Sequence, residues 1–113
     1  MTHVYYKQEN NEEKGIPGFK ITMDKMYETM LKKNADYTGN RGAFDNFTTV
    51  EKQGICSTEE GILVRMQDKM CRIITLLNNE AQVKDEAIVD TLQDLANYAI
   101  ILKCYIENKN TIK

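Results

Sequence analysis

Two long amphipathic runs, separated by only a few polar residues, constrain this chain more than any other feature. Ser57 followed three residues later by Glu60 forms a capping box, so a helix starts at "STEE". It carries Ile62, Met66, Met70, Ile73 and Leu77 along one side. "NNEAQVK" makes the turn. In "DEAIVDTLQDLANYAIILKCYI", residues 85–106, Ile88, Leu92, Leu95, Ala99, Leu102 and Ile106 are spaced 4, 3, 4, 3, 4, a seam of the coiled-coil type. The spacing predicts a long antiparallel helix hairpin, and an all-α helical bundle built on it.

Upstream, Met23, Met26, Tyr27 and Met30 predict a first helix from about Thr22 to Lys33, with Asn34 as its stop. Residues 1–19 are polar and broken by Gly15, Pro17 and Gly18, so they read as irregular, with "HVYYK" as a short strand lacking an obvious partner. Residues 34–56 read as a long loop or short helical pieces, anchored by Phe44 and Phe47. A chain of 113 residues predicts one domain, 1–113.

The net charge of −2 argues against bulk electrostatic binding of nucleic acid or an acidic membrane. No apolar run approaches the roughly 18 residues of a membrane span, and no signal peptide is expected. Cys56, Cys71 and Cys104 form no close-spaced pair, which suits reduced thiols in a cytoplasm, the host's if the source is viral. The single histidine, His3, gives little support to zinc or Ser-His-Asp chemistry.

Glu86, Asp90 and Asp94 recur every fourth residue and stand far from the expected seam. A solvated face explains such a row simply. Yet the same row continues through Asn97 into Ile101 and Cys104, on a helix apolar nearly all round. Carboxylates entering covered territory need cations, hydrogen bonds or a metal. On the preceding helix Arg65, Lys69 and Arg72 form a basic row around Asp68. Local pairing explains it at about 0.2–0.5 kcal/mol per pair. The functional reading gives the three bases to phosphate oxygens, with Asp68 orienting them or binding metal. The turn near Ala81 sets Asp68 level with Asp94 and Arg72 level with Asp90. If the two seams bury each other, however, both charged rows point away from that contact. They would then need groups from the first helix, from 34–56 or from another subunit, which predicts a homo-oligomer, dimer or tetramer, with shared sites. Glu59 and Glu60 could join a Mg²⁺ cluster, but capping already accounts for Glu60.

The segment "KNADYTGNRGAFDNF" adds Tyr37 to stack on a base, Asn46 to read a base edge or ribose, and Arg41 as a further polar contact. A connector rich in turns is the plainer alternative.

"KKNADY", "AFDNF", "GILVRMQDKMCRI" and "DEAIVDTLQDLANYAIIL", in that order over about residues 30–103, resemble the nucleotide-modification-associated domain family. Its members are small proteins found largely in bacteriophages and some bacteria. The chain is also distantly similar to all-α nucleoside triphosphate pyrophosphatases of the MazG and dimeric dUTPase kind. That resemblance implies a MazG-like fold and Mg²⁺ held by acids on two helices, with metal-bound water attacking a phosphate. Carried over, the metal set is Asp68, Glu86, Asp90 and Asp94, with Arg65, Lys69, Arg72, Tyr37, Arg41, Asn46 and Asn97 on the nucleotide. The family's Glu-x-x-Glu and Glu-x-x-Asp pairs are not reproduced: Asp68 lacks its second acid, and the other helix reads Glu86-x-x-x-Asp90. The expectation is therefore a protein that binds a phosphate-containing nucleotide in a helical, intersubunit pocket, with Mg²⁺-dependent pyrophosphohydrolysis open. The alternatives are an anti-defence sponge for cyclic-oligonucleotide immune signals, or a helical scaffold.

Overall fold

The computed structural model of the chain describes residues 14–38, 42–79 and 84–110. These form four α-helices and no strand: α1 Phe19–Thr38, α2 Asp45–Lys52, α3 Thr58–Leu77 and α4 Lys84–Asn108. The segment "HVYYK" lies outside the described residues.

The start of α1 is set by Pro17 and Gly18. Gly18 takes φ +84°, which a side chain would resist, and its carbonyl accepts the Thr22 N–H at 2.9 Å. The helix thus begins before Thr22 and runs through Asn34, which does not stop it. Asparagine lowers helix propensity by well under about 1 kcal/mol. One such residue does not end a helix whose face, Met26 and Met30 above all, is covered by its neighbours.

The turn into α2 is held by Asp45. Its carboxylate accepts the Gly42 N–H at 3.0 Å, and its own N–H donates to the Gly42 carbonyl at 3.1 Å. At the other end Gly54 adopts φ +77°. Its N–H reaches the Glu51 carbonyl and that of Ile55 reaches Val50, the two bonds of a Schellman motif. The chain then turns at once into α3. The Ser57 hydroxyl accepts the Glu60 N–H and the Glu60 carboxylate accepts the Ser57 N–H, each at 3.0 Å, so the capping box is closed. Glu51 binds the corner by accepting the Thr58 N–H at 2.8 Å.

Contacts between α3 and α4 climb one helix as they descend the other: Arg72 with Thr91, Lys69 with Asp94, Arg65 with Tyr98, and then Glu59 with Lys109 just past the end of α4. Ile62 and Ile73 of α3 are buried in this packing. The inward line of α4 departs from the expected seam. Leu92 and Ile106 are 47% and 49% exposed, whereas Thr91 and Tyr105 are 4% and 8% exposed. Two aromatic pairs account for the turn of the helix. Phe44 meets Tyr105 edge-on at 5.6 Å, and Phe47 meets Tyr98 edge-on at 6.4 Å. Thr91 tolerates burial because its hydroxyl donates to the Ala87 carbonyl at 2.7 Å and accepts from Arg72 Nε at 3.3 Å.

The far ends of α3 and α4 are tied by Lys109 Nζ, 2.7 Å from Glu59 Oε2. The Lys109 hydrogen bond, helped by the first-turn backbone of α3, holds the Glu59 carboxyl below its usual range. The same bond raises the Lys109 amine. A depressed carboxyl stabilises the fold above its unfolded value and loses that contribution as pH falls through its folded value. Urea unfolding should therefore show Glu59→Gln less stable than the parent at pH 7, with the gap closing below about pH 4.

Gly61 of α3 lies against Val50 of α2, and a Cβ there would stand 2.9 Å from Val50 Cγ2. Gly61→Ala gains up to about 1 kcal/mol in helix propensity. It also forces apart two helices at a branched side chain, an overpacking of about 1–3 kcal/mol. Chemical denaturation should show net destabilisation of about 1 kcal/mol; a stabilised variant would mean that α2 and α3 separate freely.

Candidate functional site

Arg65, Lys69 and Arg72 stand at i, i+4 and i+7 and share one face of α3. The turn of α4 brings Asp94 onto the face opposite them. Lys69 Nζ lies 3.4 Å from one Asp94 carboxylate oxygen and Lys33 of α1 lies 3.9 Å from the other. The two charged rows thus meet within one chain. This corrects the expectation that both point away from the α3–α4 contact, and its cause is the rotation that puts Thr91 and Tyr98 inward. The register differs from the expected one by a single residue: Arg72 is level with Thr91, not with Asp90.

Two cavities adjoin at this ion pair. The first is an open cleft of about 360 Å³ lined by Lys69 and Arg72 of α3 and by Glu86, Ala87, Asp90, Thr91 and Asp94 of α4. The second is a chamber of about 700 Å³, lined by all four helices and open on one side to solvent. From α1 come Met23, Met26, Tyr27, Met30, Lys33 and Asn34. Ala43, Phe44, Asn46 and Phe47 close one side, and Arg65 and Lys69 another. α4 contributes Asp94, Asn97, Tyr98, Ile100, Ile101 and Cys104. Among the described residues only Lys69 and Asp94 line both spaces.

Arg65 is half-buried and stacks against rings. Its guanidinium carbon lies 5.0 Å from the centroid of Phe47 and 5.9 Å from that of Tyr98, with Nη2 donating to the Asn46 carbonyl at 3.5 Å. Such cation–π contact holds a guanidinium in place without neutralising it. Among the described residues neither Arg65 nor Arg72 has a carboxylate oxygen within 4.0 Å.

The structure therefore brings together Arg65, Lys69, Arg72, Asn46, Asn97, Glu86, Asp90 and Asp94. It leaves Asp68 exposed on α3, lining neither cavity. Tyr37 falls in the last turn of α1, where its side chain is outside the described residues, as is Arg41 altogether. Among the described residues no three of His, Cys, Asp and Glu gather closely enough to hold an ion. Glu86, Asp90 and Asp94 sit on successive turns about 6 Å apart along the axis, and Asp94 is engaged by two lysines.

Sequence reasoning missed Lys33, Thr91, Tyr98 and the methionines of α1 as parts of the site. The methionine spacing was visible as an apolar face, but nothing local shows that this face closes a chamber. No protein-family model, curated protein or solved structure matches this chain.

Proposed function

We propose that the joined chamber and cleft bind a phosphate-bearing nucleotide. The observation that carries this reading is the shared wall of Lys69 and Asp94. On one side of it lie aromatic and thioether groups able to cover a planar ring. On the other lies a charged cleft open to solvent. The base would rest among Met26, Met30, Phe47 and Tyr98, with the amides of Asn46 and Asn97 in reach of its edges. The phosphates would meet Arg65, Lys69 and Arg72, whose guanidinium and ammonium groups suit them.

The reading assigns binding and leaves turnover out. Pyrophosphohydrolysis of the MazG kind relies on acid pairs from two helices, and on α3 Glu60 caps the helix, Glu59 pairs with Lys109 and Asp68 is turned to solvent. A Mg²⁺ ion arriving with its ligand would find Glu86 and Asp90 on the cleft wall. The resemblance to the nucleotide-modification-associated domain family, the antiparallel hairpin and the MazG-like architecture belong to the same proposal, as does a phage-type, cytoplasmic setting.

A homo-oligomer is also part of it. Among the described residues sixteen large hydrophobic side chains are exposed, against five buried ones, and Val89, Leu92 and Ile106 line the outer side of α4. Apolar surface of that extent favours association. Light scattering should return a multiple of the 13.1 kDa chain mass; a monomer at all concentrations would rule the assembly out.

Isothermal titration of the full chain against nucleoside mono-, di- and triphosphates and dinucleotides should find at least one binder. Lys69→Gln should weaken it about tenfold, and the ligand should be recovered unchanged after denaturation. A chain that binds none of the panel would defeat the proposal.

A further inference from the structure

Among the described residues the α3–α4 hairpin is covered on one face and bare on the other. On α3, Arg65 and Arg72 border the chamber and the cleft on one side of the buried Ile62 and Ile73. At about 100° per residue, Leu63, Gln67, Met70, Ile74 and Leu77 fall on the other side, and all five are exposed. On α4, Asp94, Asn97 and Ile101 border the chamber on one side of the inward line of Thr91, Tyr98 and Tyr105. Val89, Leu92, Ala96, Ala99, Lys103 and Ile106 fall on the other side, and all six are exposed. The two helices are antiparallel and share the chamber side, so they share the opposite side too. α1 and α2 sit on the chamber side. The back of the hairpin is therefore one apolar face made of two helices.

The spacing of this face specifies its occupant. The α3 stripe steps 4, 3, 4, 3 and the α4 stripe 3, 4, 3, 4, 3, the repeat by which helices seat on helices of the same repeat. The one charged residue in the two stripes is Lys103, and Glu107 on the next turn compensates it at 2.6 Å. Two copies of the face can therefore meet without like-charge repulsion. Their shapes also match. The Lys69–Asp94 and Arg65–Tyr98 contacts set Gln67 at the height of Ala96 and Leu63 beside Ala99. A two-fold axis parallel to the hairpin lays α3 of one copy on α4 of the other and seats these larger residues over the alanines. A 20-residue α3 is about 30 Å long, and two packed helices are about 20 Å across. The footprint is then about 600 Å² per copy and about 1,200 Å² for the pair, above the roughly 1,000 Å² a specific interface needs. We infer, on the strength of the homo-oligomer in the reading above, that a second copy of the chain covers the back of the hairpin, the two hairpins forming a four-helix bundle. The two chambers then lie on the outer faces of the pair, each lined by one chain.

Light scattering and sedimentation of the full chain test this. The parent should run at twice the 13.1 kDa chain mass. Ile74→Glu and Leu92→Glu, each at an exposed position of the back face, should return it to the mass of one chain, with circular dichroism confirming the helix content. Leu31→Glu, at an exposed position of α1, should leave the dimer intact. Gln67→Leu replaces the one polar residue of the α3 stripe and should lower the dissociation midpoint at least about tenfold. It decides between outcomes if the glutamate variants fail to fold. A dimer that survives both Ile74→Glu and Leu92→Glu, or that Gln67→Leu does not tighten, would overturn the inference and leave the homo-oligomer standing. So would a dimer that Leu31→Glu dissociates. A parent that is monomeric at all concentrations would give the face to a different partner and remove the inference together with the homo-oligomer, while nucleotide binding, read by calorimetry, would be untouched.

Discussion

Two edge-to-face ring pairs govern how this molecule is arranged. Phe44 and Phe47 sit three residues apart at the start of α2, and Tyr98 and Tyr105 sit two turns apart on α4. Gripping one pair with the other sets the rotation of α4 about its own axis. The rest follows from that angle. Thr91 goes inside, Leu92 and Ile106 go outside, and Asp94 arrives opposite Lys69. Each aromatic pair is worth only about 0.5–1.5 kcal/mol beyond its burial. That is enough to decide between two orientations of a helix whose apolar residues run nearly all the way round.

This near-degeneracy explains what could be read from the sequence and what could not. The start of α3 was legible because Ser57 and Glu60 form a local bond pair needing no tertiary context. The basic row of Arg65, Lys69 and Arg72 was legible because helical spacing alone puts it on one face. The burial of α4 was misjudged for a physical reason. Ranking by hydrophobicity selects Leu92 and Ile106, but Thr91 and Tyr105 can be buried once their polar atoms or rings find partners. The continuation of α1 past Lys33 was missed because residues 34–38 look like turn formers, and their weak preferences yield to a helix already under way. The chamber lay beyond reach, since it requires Met26 and Tyr98 to face each other across 72 residues of chain.

The site inherits its electrostatics from the same rotation. Had α4 kept its leucines inward, Asp94 would point to solvent and Lys69 would be a third uncompensated base. Instead Lys69 shares the Asp94 carboxylate with Lys33, so the middle of the row is partly compensated, while among the described residues its ends have no carboxylate within 4.0 Å. A half-exposed pair such as Lys69–Asp94 adds little to stability, about 0–1 kcal/mol. Its importance lies in what it subtracts from the attraction that an anion would feel at that point.

Three methionines, with Tyr27, Lys33 and Asn34, form the wall that α1 gives the chamber. Thioether chains are unbranched and polarizable, and they refill gaps of many outlines at small cost. A compartment bounded in this way discriminates weakly among flat rings of different size. Selectivity must then come from its fixed elements: the guanidinium pinned on Phe47 and Tyr98, and the amides of Asn46 and Asn97. Drift in the α1 methionines toward leucine or isoleucine would leave the hydropathy of that face almost unchanged, yet it would turn a forgiving receptor into a stricter one.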